Sequence, residues 1–249
     1  MARQVGEIKH QGTIGEIIFY KSVDGYLARG RGGIEAHRIA KDPAFERTRK
    51  NNAEFGNATA ALKIVRDTVR QLSKKAEDSR LCSRLTKAMM AVKELDVSHA
   101  HGERSVANGL ATVQGKQLLC GFNFNIHAPL HTVLRTSLRT VPATGGIIID
   151  KLSPMNDVRI PEGATHIIFK AGYAAIDFVT GERALAIAKP VKIEIITDAT
   201  TVELAPTPLP TIHGTKLMLL CIEFVQEVNG ADYQLERGAH NVMCIVDVA

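Results

Sequence analysis

Apolar and polar residues alternate along this chain in three different ways. Thr13–Ser22 is rich in β-branched and aromatic residues and predicts a strand. Asp24-Gly25 predicts a two-residue hairpin turn, since both residue types tolerate positive φ. Tyr26–Arg29 is the expected return strand, and Gly30, Gly32 and Gly33 break it. The period then changes. Phe55, Ala58, Leu62, Val65, Val69 and Leu72 recur every three or four residues, as do Leu81, Leu85, Ala88, Val92 and Leu95. Each series is a helical seam. Asp42-Pro43 marks the start, an N-cap followed by proline where its missing N–H costs nothing. Gly56-Asn57 predicts a kink or break, and the polar turn Lys74–Ser79 predicts an antiparallel helical hairpin with facing seams.

After Leu95 the pattern becomes strand-like. Ser98–Gly115 reads as a polar connector. Short runs then recur at Gln117–Asn125, His131–Thr140, Gly146–Leu152, Thr165–Phe169, Tyr173–Val179, Ala184–Ala188, Val191–Thr197, Thr201–Leu204, Lys216–Val228, Asp232–Leu235 and Asn241–Val248. Turn signals separate several of them, among them Pro161-Glu162-Gly163 and Asn229-Gly230. Such punctuation predicts an antiparallel, Ig-like β-sandwich. The expected fold is therefore α+β, with an N-terminal hairpin arm over 1–41, a helical hairpin over 42–96, a connector over 97–115 and a sandwich over 116–249.

Several blocks resemble a family of uncharacterised bacterial proteins of about this length. They are Asp42–Arg49 with Asn52 and Glu54-Phe55-Gly56, then Ser83–Lys87, Gly121–Asn125 and Ile222–Gly230. The likeness implies a shared architecture. It implies no activity and transfers no catalytic or binding role.

Charge adds asymmetry. Residues 1–96 hold 19 Lys and Arg against 12 Asp and Glu, whereas residues 97–249 hold 12 against 14. A basic front half suits either an acidic partner, including the rear half of a second copy, or a phosphate backbone. With no Trp and 5% aromatics, stacking platforms for sugars or single strands are scarce. Acids interleaved with Arg47, Arg49, Arg66 and Arg70 weaken the field a nucleic acid would meet.

The four cysteines form no C-x-x-C pair, a spacing that fits a reducing compartment. The N-terminal residues lack the apolar core of a signal peptide, and no run is long enough to span a membrane. A cytoplasmic location is expected, with non-classical export left open.

Signatures of chemistry are missing. The nucleophile elbow, the P-loop and the dinucleotide fingerprint are absent from the sequence. His127 and His131 have ligand spacing, but Pro129 lies between them and no third ligand is placed. No catalytic residue, metal or cofactor is expected.

The reading is a non-enzymatic structural protein that assembles with itself into a filament, tube or particle, with nucleic-acid binding as the alternative. The expected interface residues are Ile17, Phe19, Tyr26, Arg29, Phe45, Arg47, Arg49 and Phe55, the aromatic and Arg types that anchor interfaces. Whether the N-terminal hairpin covers its own chain or a neighbour's sheet stays open at the level of sequence.

Overall fold

The computed structural model describes residues 2–76 and 78–249, and the chain divides into two units between Arg49 and Lys50. In the first unit, β1 (Ala2–Arg3), β2 (Gly12–Ile14), β3 (Ile17–Ser22) and β4 (Gly25–Gly30) form an antiparallel sheet ordered β1-β4-β3-β2. The single strand expected over Thr13–Ser22 is two. Gly15, at φ 59°, lets the chain reverse so that Ile14 pairs with Ile17. The next turn also differs: Ser22 pairs with Gly25, so the loop is Val23-Asp24, and Gly25 alone takes positive φ. A short helix α1 (Ala36–Lys41) follows, which the glycine-rich sequence did not announce.

Asp42 caps the next element as expected, its side chain accepting from the Ala44 N–H at 3.0 Å above a 3-10 turn over Pro43–Phe45. That turn leads into α2 (Glu46–Ser73), which runs through Gly56-Asn57 without a break. Gly56 faces solvent, and the Asn57 side chain accepts from the Val106 N–H at 3.0 Å instead of from its own helix. The seam holds from Ala58 to Leu72. At its N-terminal end it turns by one residue: Phe55 is 51% exposed and Glu54 is buried.

α3 (Leu81–Glu94) returns antiparallel, bringing Lys93 to Glu54. Met89 takes the buried place expected of Ala88. Glu77, in the expected polar turn between these helices, lies outside the described residues.

The connector expected over 97–115 is helical in its second half. α4 (Val106–Leu110) and α5 (Val113–Leu119) start at Ser105 and Thr112, whose hydroxyls accept from Asn108 N–H and Gly115 N–H. Serine, threonine and glycine gave this stretch a linker's composition, yet the first two are caps and Gly109 is a contact. A Cβ on Gly109 would lie 2.1 Å from the Val92 carbonyl oxygen. The strand expected at Gln117–Asn125 is the end of α5 plus an extended piece. That piece covers the edge of the C-terminal strand, through Gly121 N–H to Ile245 O and Phe124 N–H to Met243 O. His131–Thr140 likewise becomes α6 (Leu130–Val133) and the start of β5 (Arg139–Val141).

The remaining elements are β6 (Gly146–Leu152), α7 (Pro154–Asp157), β7 (His166–Ile176), β8 (Arg183–Ile187), β9 (Val191–Glu194), β10 (Thr200–Leu204), β11 (Thr215–Val228), β12 (Ala231–Gln234) and β13 (Val242–Val248). β7 is one strand where the sequence suggested two. They form a six-stranded antiparallel sheet, β12-β11-β7-β8 with β13 on β11 and β9 on β7, and a three-stranded sheet, β10-β6-β5.

β11 explains the layering. Leu217, Leu219 and Cys221 join the core that holds the α2 and α3 seams. Met218, Leu220, Ile222 and Phe224 join the core that holds Ile147, Ile149, Val202 and Leu204 of the smaller sheet. A strand covered on both faces reads as a continuous apolar run, which is why Leu217–Ile222 shows no alternation. The fold is thus mixed, with helices on one face of a curled antiparallel sheet and a small sheet on the other.

Candidate interface and a buried charge cluster

Strand register sorts the expected interface residues. Paired residues in an antiparallel ladder project to the same face. Phe19 pairs with Ala28, Ile17 with Ile14 and Lys21 with Tyr26. One face of the N-terminal sheet therefore carries Ile14, Ile17, Phe19, Tyr26 and Ala28 together with Lys21, whose ammonium lies 5.6 Å from the Tyr26 ring centre. The other carries Ile18, Tyr20, Leu27 and Arg29, with the Arg29 guanidinium 5.7 Å from the Tyr20 ring centre. Ile14 is 60% and Ile17 46% exposed, and no described residue from Ala2 to Arg49 is buried.

The other expected residues serve varied ends. Phe45 is half-buried beneath the Arg38 guanidinium, 5.9 Å away. Arg49 donates to the carbonyls of Ile39 and Asp42 at 2.8 and 2.9 Å, which ties the end of α1 to the start of α2. Arg47 is exposed. Phe55, in the second unit, is also exposed and lines a cavity of about 390 Å³ with Asn51, Asn52, Met90, His101 and Arg104.

The same cavity is lined by a charge cluster that sequence reasoning missed, made of Glu54, Lys93, Glu94 and Arg104. Glu54, 1% exposed, accepts from Lys93, from Arg104 Nε at 2.7 Å and Nη2 at 3.0 Å, and from the Gly102 N–H at 2.8 Å. Lys93 and Arg104 also meet Glu94, so two acids offset two bases. The Arg104 hydrogen bond, foremost, holds the Glu54 carboxyl down at about 2 against the opposing effect of burial. Nearby, Asp96 is a second buried carboxylate. Burial alone would raise it, but His99, the Ser98 and Ser105 N–H groups and Asn108 together hold it well below the usual range.

Such buried charges are tolerable only with every partner in place. Here they tie the 96–108 segment to α2 and α3. The sequence held one signal: counting back four residues from Ala58 reaches Glu54, and counting on four from Met89 reaches Lys93.

Two of the blocks quoted for the family resemblance, Ser83–Lys87 and Gly121–Asn125, meet in space. Arg84 donates to the carbonyls of Asn123 and Phe124 and pairs with Asp78. Its guanidinium lies 5.3 Å from the Phe122 ring centre. Glu223, from the late block, is buried and paired with Lys170 and Lys75. All of these contacts hold the fold together.

Among the described residues, no group of three or more His, Cys, Asp or Glu is placed to hold a metal ion, and no helix is long and apolar enough to cross a membrane. Cys221 and Cys244 are buried, and burial pushes both thiols up to about 12. Comparison with protein-family models, curated proteins and solved structures finds no match.

Proposed function

We propose that this is a non-enzymatic structural protein that assembles with copies of itself, using the N-terminal sheet as the joining element. One observation carries the reading. A four-stranded sheet presents Ile14, Ile17, Phe19 and Tyr26 on one face while none of its described residues is buried. Sheets hold together by burying an apolar face, and a small sheet without cover is marginal in water. A second copy is the cover that the charge distribution favours: the basic front half meets the mildly acidic rear half of its neighbour. A heterologous contact of this kind closes into rings or continues as filaments.

On this reading the C-terminal sheets form a sandwich-like platform and β8 is the acceptor. β8 has β7 as its one ladder partner among the described residues. Apart from Arg183 at its first position, 3.7 Å from Asp67, its residues Ala184–Ile187 carry no charge, and a cavity of about 490 Å³ separates it from Thr207–Ile212. Sheet edges left without charge or cover are ready to pair. Other edges are guarded: β9 carries Lys192 and Glu194, β12 carries Asp232, and β13 is covered by residues 121–124.

Removing residues 1–33 tests the proposal. Loss of the large species with a folded product supports it; an unchanged size distribution overturns it. Nucleic-acid binding by the basic front half is the alternative, and retention on a DNA column that falls with salt is its test. Arg49, Arg29 and Arg38 are already engaged with carbonyls or rings, which disfavours it.

A further inference from the structure

Another cavity, of about 330 Å³, lies in the Lys50–Ala249 unit between His127, Thr132, Arg159 and His240, with Ala128, Val133, Ile160 and Pro161 as its apolar wall. Two of its walls are held together by one buried side chain. Asn125, 4% exposed, donates its amide to the carbonyls of Ala239 and Asn241, both at 2.9 Å, and its oxygen accepts from the His127 N–H at 3.0 Å. The two histidine-bearing segments are thereby fixed to each other. Arg159 comes from a third segment, fixed by its own N–H donating to the Val133 carbonyl at 2.8 Å.

The charges in this cavity are unbalanced. Among the described residues, the Arg159 and His127 side chains have no hydrogen-bond or ion-pair partner. His240 Nε2 meets Glu236 at 3.1 Å, which leaves its Nδ1 uncommitted. Thr132 spends its hydroxyl hydrogen on the Pro129 carbonyl, so it offers an anion no donor. Among the described residues, none that lines the cavity is acidic.

The geometry points to a binding site for a small organic phosphate. The planar Arg159 fork takes two phosphate oxygens side by side. The His127 ring supplies a further donor, and His240 Nδ1 either accepts the hydrogen of a monoprotonated phosphate or donates when the ring is protonated. The cavity is larger than a bare phosphate needs, and its apolar wall suits a compact uncharged body attached to the anion. This site is independent of self-assembly and lies outside the residues proposed for it.

Phenyl phosphate and inorganic phosphate serve as probes, added at fixed ionic strength to the full chain in a phosphate-free buffer. Histidine ring proton–carbon spectra are recorded, with the His127 and His240 signals assigned from His127→Gln and His240→Gln. The expected result is saturable movement of those two signals among the nine histidines, with phenyl phosphate the tighter ligand. Arg159→Gln, at an exposed position, should leave the other seven signals in place and weaken binding at least ~10-fold. Unsaturable drift of all the histidines, or saturable binding that Arg159→Gln does not weaken, would overturn the proposal.

Discussion

Glu54 shows how much one side chain decides. Replacing it with glutamine leaves Lys93, 2% exposed, without its closest charge partner. Breaking a buried pair from one side costs about 3–5 kcal/mol, so Glu54→Gln should lower the urea midpoint at neutral pH markedly. The same residue sets an acid limit. Its folded pKa of about 2 lies below its ordinary 4.5, so the unfolded chain binds the proton more readily. The stabilisation is complete above about pH 4.5 and is lost as pH falls toward about 2. Asp96 is shifted the same way and adds to the loss. Unfolding curves between pH 5 and about 2 should fall steeply for the native sequence and less steeply for Glu54→Gln; parallel curves would mean the pair carries little.

The cysteines test burial at the same scale. A thiol reagent at mildly alkaline pH should label Cys82 and Cys120, both exposed, and reach Cys221 and Cys244 only after unfolding. Cys120 should react more slowly than Cys82, because partial burial and then the Asp247 charge raise its thiol. Labelling of all four in the native protein would contradict the core assignment.

At the scale of elements, two glycines should respond in opposite directions. Gly56 sits on the exposed face of a continuous helix, and an added Cβ meets nothing within 4 Å. Gly56→Ala should therefore raise stability by about 0.5–1 kcal/mol, read from denaturant midpoints. Gly109→Ala drives a Cβ into the Val92 carbonyl between α4 and α3 and should destabilise by about 1–3 kcal/mol. A destabilising Gly56→Ala would indicate strain in α2 that its geometry does not show.

These elements also mark the limit of sequence reading. The α2 and α3 seams, the capped start at Asp42 and strands β6 and β8–β13 were legible, because local periodicity and turn chemistry determine them. The helices α4 and α5 were not. Their caps resemble linker residues until Asp96, Asn57 and Val92 supply tertiary partners. A periodicity count places Phe55 in the helical seam because apolarity outranks charge there, whereas the fold buries Glu54 with a full set of donors and leaves Phe55 exposed, as its place among the expected interface residues requires. Arg49 looked like an interface residue, but its partners are main-chain carbonyls that no motif reveals.

At the scale of the whole molecule, the two units differ in what holds them. The Lys50–Ala249 unit has two extensive apolar cores meeting at the central sheet, together with satisfied buried ion pairs. The unit ending at Arg49 has ordered strands and no buried described residue. On the reading proposed above, a partner surface would account for that difference, and the β8 edge of a second copy would supply one. The most direct measurement is the solution mass of the full chain by light scattering, beside the chain lacking residues 1–33. Self-assembly predicts a multiple of the single-chain mass for the first and a folded monomer for the second. A full chain that stays monomeric at high concentration would contradict it.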